Sequence, residues 1–439
     1  MKNKKAFFLL FLADGVSGFA QGITMLAIPW YFADHHMGGT FSIYYAIITL
    51  ASLFWGLYAG TIVDGFNRKD VFLGTNFISG LIIISIASLG FKEGVLPSAL
   101  IMMVFTSTFF GYYIHYPNLY AFAQEITEPK DYTKVTSYIE IVGQTSTIAA
   151  SALGAILLKG LHTEINFELF NTAVHIPINI DRWEIHEIFL MDGFTYMLSF
   201  ILIIFIKYVP IKTVVDYDEG PLLERLRTGY NYLKKNPIVT LFGVCSYTIF
   251  IVGLIEMFSL IPLYVKNHLS MEGDVLGASK FMFGCGSLIS GFIIGKLLQK
   301  SSIPKSIIIL TALTTIFLFV ISFTKDVWVF YIYSIVFGFA NSGSRIFRVS
   351  YIFTLVPNEI NGRVHSMFNV YTTIIRTVFI AAFALPFFTN GSNVTWAYFT
   401  LGVYALISTI ILLAIYKKVE GLTQAKSSQE PETAEEPVH

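Results

Sequence analysis

The 439-residue chain is 54% hydrophobic and 16% aromatic but only 13% charged, whereas soluble domains carry about 25% charged residues; a mean hydropathy of +0.65 exceeds what one soluble core can hide. Lysine plus arginine and aspartate plus glutamate both number 29, so the net charge is zero and no basic excess marks a nucleic-acid binder. Cys245 and Cys285 stand singly in apolar runs, a pattern that supports neither a disulfide framework nor a thiolate metal site.

A membrane-spanning helix needs about 20 mainly apolar residues. Runs of that size recur at about 6–33, 41–63, 70–91, 97–124, 133–159, 187–207, 238–265, 274–297, 304–324, 327–355, 364–388 and 395–416. Stretches such as 81–89 and 401–415 are apolar on every face, unlike the alternating strands of a membrane barrel. The expected fold is therefore an all-α integral membrane protein of twelve transmembrane helices. The first run imitates a signal peptide but continues past Trp30 without a small-residue cleavage site, and so reads as an uncleaved helix.

Loop charge sets orientation, because lysine and arginine collect on the cytoplasmic side. With the N-terminus inside, the inner segments hold twenty such residues and the outer segments five. Both termini are expected in the cytoplasm of a multi-pass protein of the cell (inner) membrane. Segment 160–186, on the outer side, is long and alternates apolar and polar residues, as a short hairpin or cap would. The segment 222–235 (LLERLRTGYNYLKK) has the make-up of a short amphipathic helix at the inner surface. Residues 419–439 are acidic and without apolar period, as in a disordered end.

An internal repeat runs through the chain at an offset of 229 to 236 residues. Ile28-Pro29-Trp30-Tyr31 ends the first span and Ile261-Pro262-Leu263-Tyr264 the seventh. Lys134-Val135-Thr136-Ser137 opens the fifth, and Arg363-Val364-His365-Ser366 opens the eleventh. The expected organisation is two six-helix pseudo-repeats, 1–207 and 238–418, joined by a linker at 208–237 and followed by the tail.

Between spans two and three lies Gly60-Thr61-Ile62-Val63-Asp64-Gly65-Phe66-Asn67-Arg68-Lys69. This segment resembles the signature loop of the major facilitator superfamily: a glycine, an aspartate four on, then a basic pair. It departs from the pattern at Gly65, where an arginine is usual, and at Asn67, where a glycine is usual. The stretch from Pro357 to Val364 is similar to the branch that contains macrolide exporters and the enterobactin exporter. The resemblance implies a secondary transporter, not an enzyme, with no cofactor. It also implies a cytoplasmic gate in which Asp64, beside Gly60 and Arg68, faces the N-terminus of span eleven and Arg363. A helix N-terminus and an arginine both favour a carboxylate, and Gly60 would let helices approach closely.

Ionisable groups inside a bilayer cost a few kcal/mol on insertion scales and are functional candidates by default. Here they are Asp14, His115, Glu140, Glu256, Lys280, Arg345, Arg348 and Arg376, while spans three, nine and twelve hold none away from their ends. The resemblance implies that those empty spans, with span six, form an outer support; only Asp192 on span six departs from this division. Asp14, Glu256 and Glu140 are the candidate proton-coupling carboxylates, because burial and an arriving cation push a carboxyl in opposite directions. Arginine does not release its proton, so Arg345 and Arg376 are assigned to the substrate cavity with Gln21, His115, Tyr116 and Asn118. A static Glu256–Arg376 ion pair is the structural alternative. Arg348 lies nearer the headgroups, where a long side chain can snorkel.

No phosphate-binding glycine loop of the nucleotide-driven type is present, so the energy must come from a gradient or from another chain. His35-His36 and His186-Glu187 are too sparse for a metal site. The expected partners are a small-molecule substrate, protons and the lipid bilayer, with the chain acting as a monomer. The leading function is proton-coupled efflux of an amphipathic, drug-like or siderophore-like molecule. The alternatives are transport of an anionic metabolite or lysolipid, and a membrane sensor that no longer transports.

Overall fold

The computed structural model describes residues 4–128, 131–169, 172–208, 222–297, 302–357 and 360–427. The first half comprises α1 (Lys4–Asp34), α2 (Gly38–Gly65), α3 (Arg68–Glu93), α4 (Ser98–Glu125), α5 (Tyr132–Lys159) and α6 (Ile185–Ile204). Between α5 and α6 an antiparallel hairpin pairs β1 (Leu161–Leu169) with β2 (Thr172–Ile180) in the register Leu161↔Ile180 to Leu169↔Thr172. The alternation in 160–186 thus forms a hairpin. Gly160 lets the chain enter it: its φ is +85°, and a Cβ there would lie 2.9 Å from the carbonyl of Ile180.

The amphipathic segment forms α7 (Leu222–Lys235). It packs against α14 so closely that a Cβ on Gly229 would strike the carbonyl oxygen of Arg363. The seventh span, Pro237–His268, is broken into α8 (Pro237–Ser246), α9 (Thr248–Ile255) and α10 (Ile261–Leu263), with π turns at Glu256–Leu260 and Tyr264–His268. Pro262 accounts for the first widening, since it lacks an N–H and its ring collides with the preceding turn. The second half continues with α11 (Gly273–Leu297), α12 (Ile303–Ser322), α13 (Val327–Leu355), α14 (Asn361–Phe383), the short α15 (Pro386–Thr389) and α16 (Val394–Ser427). Twelve helices among the described residues are long and apolar enough to cross a membrane. Helix α16 runs through Ser427, so the stretch from residue 419, expected to be irregular, begins as helix; 428–439 lie outside the described residues.

The halves face each other across α5–α11 and α2–α14. Small residues permit this: a Cβ on Gly284 would lie 2.6 Å from Ile148, and one on Gly277 2.5 Å from Ala155. Twelve crossings bring both termini to one face, here the terminal end; the opposite face is the distal end.

Candidate functional site: a cavity between the halves

The distal end is closed by polar contacts between the halves. Asp34 of α1 receives Lys266 at 2.7 Å and is braced by Arg182 at 2.6 Å. Lys159 of α5 reaches Asp274 of α11 at 2.7 Å. One level deeper, the hydroxyls of Ser42 and Ser259 lie 2.7 Å apart, and Tyr45 donates to the carbonyl of Leu254 at 3.0 Å. Toward the terminal end the interface opens into cavities.

Three cavities adjoin one another there. A vestibule of about 300 Å³ is bordered by Tyr116, Tyr120, Gln144 and Arg345. It shares Tyr116, Ile139, Gly143 and Thr147 with a central cavity of about 100 Å³, which Asp14, Gln21, Tyr112, His115 and Lys280 also line. Thr147, Met257 and Lys280 are shared in turn with a third cavity of about 140 Å³, bordered by Glu256 and Tyr333. The path runs from the terminal end, past a carboxylate–imidazole pair, to a buried carboxyl.

Asp14 and His115 are joined by a 2.8 Å contact from Oδ1 to Nε2. The side chains are mostly buried, and Phe72 meets the imidazole edge-on. Gln21 lines the same cavity and donates from Nε2 to the hydroxyl of Tyr196 at 2.7 Å. Tyr116 stands 44% exposed at the mouth, and its ring stacks on Tyr112 with centroids 5.8 Å apart. Tyrosine combines an apolar face with a polar tip, which suits an amphipathic ligand.

Glu256 opens the first π turn and is fully buried. Tyr333 donates to its Oε1, and Oε2 has no hydrogen bond among the described residues. The Glu256–Arg376 pair is not formed. Arg376 lies buried on α14 near Tyr45, without an ion pair among the described residues, and lines none of the three cavities. Beyond Arg345 in the vestibule, the cation that borders the deeper path is Lys280, which lines two cavities with no ion pair among the described residues and whose Nζ lies 5.6 Å from the Phe258 ring.

Other assignments move as well. Asn118 is buried away from the cavity and donates to the carbonyl of Arg68 at 2.8 Å, a packing role inside the first half. Arg345 and Arg348 diverge: Arg345 is exposed in the vestibule, whereas Arg348 is 3% exposed. Instead of snorkelling, Arg348 lies 3.9 Å over the ring of Tyr247 and donates to the carbonyl of Ser246 at 3.1 Å. The free carbonyls at the end of α8 supply the acceptor that holds it inside.

The signature loop has its own geometry. Asn67 caps α3 by accepting from the N–H of Lys69 at 3.2 Å. Arg68 is buried and pairs with Glu125 at the end of α4, Nε to Oε1 3.4 Å. Lys69 donates to the carbonyls of Ile204 and Ile206 at the end of α6, at 2.9 and 2.8 Å. The basic pair thus clamps the ends of α4 and α6 within the first half. A Cβ on Gly60 would meet nothing within 4 Å, so no close approach occurs there. Arg363 is half-buried, with its backbone under α7. The side chains of Asp64 and Glu140 lie outside the described residues.

Two groups of residues were not expected as sites. Asp192 on α6 is fully buried, and neither of its carboxylate oxygens has a hydrogen bond among the described residues. The distal ion pairs of Asp34 and Lys159 were also missed, because loop charges counted for orientation carry no sign of their partners.

Twelve membrane helices in two halves around a cavity that is closed at one end define a secondary transporter. The family model described as Major Facilitator Superfamily matches residues 10–380, and the chain belongs to that superfamily. It is 25% identical over 187 residues to the uncharacterized MFS-type transporter YkuC of Bacillus subtilis (strain 168); the match covers 41% of this chain and 42% of that relative's length. The fold is similar to the nucleoside transporter NupG, with a TM-score of 0.69 and 13% identity over 94% of this chain and 99% of that one. It is also similar to the peptide transporter POT, at 0.66 and 12% over 95% of each chain. A bacterial homolog of the human lysosomal transporter Spinster matches at 0.62 and 10% over 98% of each chain. At these identities the likeness concerns the fold.

Proposed function

We propose that the chain exports an amphipathic small molecule by alternating access, in exchange for protons, from a cell membrane in which the distal end faces outward. The reading is carried by the continuous path from the vestibule, past Asp14 and His115, to Glu256. In the conformation described, substrate would enter from the terminal end and rest on the Tyr112–Tyr116 stack. Asp14 and Glu256 are the proton carriers: each is a carboxyl bordering the path, on a span at an equivalent place in the two halves, and neither is locked to an arginine. Separation of Asp34 from Lys266 and of Lys159 from Asp274 would open the distal end, while the signature loop and Arg363 close the terminal one. The gate role of Asp64 and Gly60 belongs to that second conformation.

A second reading concerns the substrate's charge. Lys280 faces the path without a protein counter-ion among the described residues, which favours a ligand with a carboxylate or phosphate. The deciding experiment is transport of a candidate panel in proteoliposomes, with and without an imposed pH gradient. Asp14→Asn and Glu256→Gln are expected to abolish gradient-driven flux while the protein still reaches the membrane. Unchanged flux in both variants would sink the coupling assignment.

A further inference from the structure

Three helices of the first half each bring two polar side chains, at helical spacing, to one buried place. Helix α1 supplies Gln21 and Thr24, α4 supplies Thr108 and Tyr112, and α6 supplies Asp192 and Tyr196. Spacings of three and four put each pair on one helix face. Thr24, Thr108 and Asp192 are fully buried. The hydroxyls of Thr24 and Thr108 and both carboxylate oxygens of Asp192 lack a hydrogen bond of ordinary geometry, although Thr24 faces Asp192 and Thr108 faces Tyr196. On α3, Gly80 and Ile84 lie against Gly193 and Tyr196, and neither carries a charge.

An ionised carboxylate in such a place is strongly disfavoured, because desolvation costs several kcal/mol, the facing Thr24 hydroxyl offsets only part of it, and no cation pairs with Asp192 among the described residues. A protonated carboxyl gains a donor as well as acceptors, and the threonine hydroxyls can rotate to meet both. The groups that titrate nearby are Tyr112 and Tyr196, within electrostatic reach of Asp192. Tyr112 also lines the central cavity, and Tyr196 accepts from Gln21, which lines it too. The buried carboxyl is therefore one side chain away from the path.

The geometry points to a further proton-binding site at Asp192, loaded in the conformation closed at its distal end and joined to the substrate cavity through Tyr112. In the loading step a hydronium in the cavity gives a proton to the Tyr112 oxygen as Tyr112 passes its own to Asp192, to which it is not hydrogen-bonded in this conformation and toward which its side chain must turn. One O–H bond breaks on the hydronium, one forms on the carboxyl, and a water remains. The second half has a comparable arrangement in Glu256, Tyr333 and Tyr398, on spans seven, ten and twelve, where the first uses spans one, four and six. The equivalence of Ile28-Pro29 and Ile261-Pro262 sets Glu256 opposite Ile23, the neighbour of Thr24. Each half thus buries one carboxyl in the same three-helix wedge, carried on a different helix.

Infrared difference spectroscopy of the full chain in lipid nanodiscs, between low and high pH, tests the site without any substrate. The wild type should show protonated-carboxyl bands of which Asp192→Asn removes one and Glu256→Gln another. Should Asp192→Asn fail to fold, Thr24→Val keeps the carboxyl and should shift its band. Tyr112→Phe should slow deuterium exchange of that band roughly tenfold. A spectrum that neither Asp192→Asn nor Thr24→Val alters overturns the proposal. So does loss of the band on adding sodium chloride at constant pH, which would make the occupant a sodium ion.

Discussion

Asp34 holds Lys266 through one carboxylate oxygen and Arg182 through the other, at 2.7 and 2.6 Å. Lys266 belongs to the second half and Arg182 to the strand exit next to α6, so the carboxylate links the halves and anchors the hairpin at once. The Asp34 and Lys266 side chains are only 12% and 22% exposed. A charge-assisted contact so placed contributes about 1.5–3 kcal/mol, enough to change the ratio of two conformations by roughly tenfold or more. Lys266→Ala should therefore raise the population open at the distal end. Spin labels on the distal ends of α2 and α11 would report it as a longer-distance component. The exchanged pair Asp34→Lys with Lys266→Asp should restore part of the short component, and an unchanged distribution in Lys266→Ala would remove the lock.

Lys280, not Arg376, is the cation that borders the central cavity. Lys280→Ala should weaken an anionic substrate by tenfold or more while leaving a neutral analogue within about twofold, as loss of one charge-assisted hydrogen bond predicts. Arg376→Met should leave both nearly unchanged. Binding measured with a matched anionic and neutral pair separates the cases. Equal loss for both ligands in Lys280→Ala would mean that the lysine supports packing.

The reach of the sequence follows from what kind of signal each feature sends. Span lengths, the hairpin and α7 rest on local periodicity, and they emerge close to their expected bounds except for the last helix, which runs on to Ser427. Asp14, His115, Gln21 and Tyr116 meet in one cavity because chemistry-bearing residues in apolar helices have few other places to go. Asn118, Arg348 and Arg376 share that signal but turn elsewhere. A backbone carbonyl awaits Asn118 and Arg348, and neither acceptor is visible in composition. The π turn at Glu256 could have been suspected from Pro262, six residues on. Asp192 was visible as an exception to the charge pattern; what the sequence did not reveal was that Thr24 and Tyr196 lie beside it.

Glycine substitutions separate packing from gating. A Cβ on Gly286 would strike the carbonyl of Ile335, and one on Gly338 the carbonyl of Phe283; a backbone neighbour has no rotamer in which to yield. Gly286→Ala should destabilise the chain by about 1–3 kcal/mol, read as a lower midpoint in a thermal size-exclusion assay. Gly60→Ala meets open space, and in a helix alanine is favoured by up to about 1 kcal/mol, so its midpoint should not fall. If Gly60→Ala nevertheless slows transport, the glycine serves the conformation closed at the terminal end. A lowered midpoint in Gly60→Ala would contradict this division.

Arg348 ties the break in span seven to α13. Its guanidinium lies flat enough over Tyr247 to bring the centre within 3.9 Å of the ring centroid, while one nitrogen donates to the carbonyl at the end of α8. A desolvated cation–π contact contributes about 2 kcal/mol, and a hydrogen bond from a charged donor about 1.5–3 kcal/mol. Arg348→Ala should therefore lower stability by roughly 2–4 kcal/mol, with the two terms overlapping because they share one group. Lysine can supply the charge but not the planar face with its second contact, so Arg348→Lys should recover less than half of the loss. Thermal midpoints of the purified variants in one detergent test both claims. Full recovery by lysine would show that charge alone matters at this position, and an unaffected alanine variant would mean that the break is held by the surrounding core.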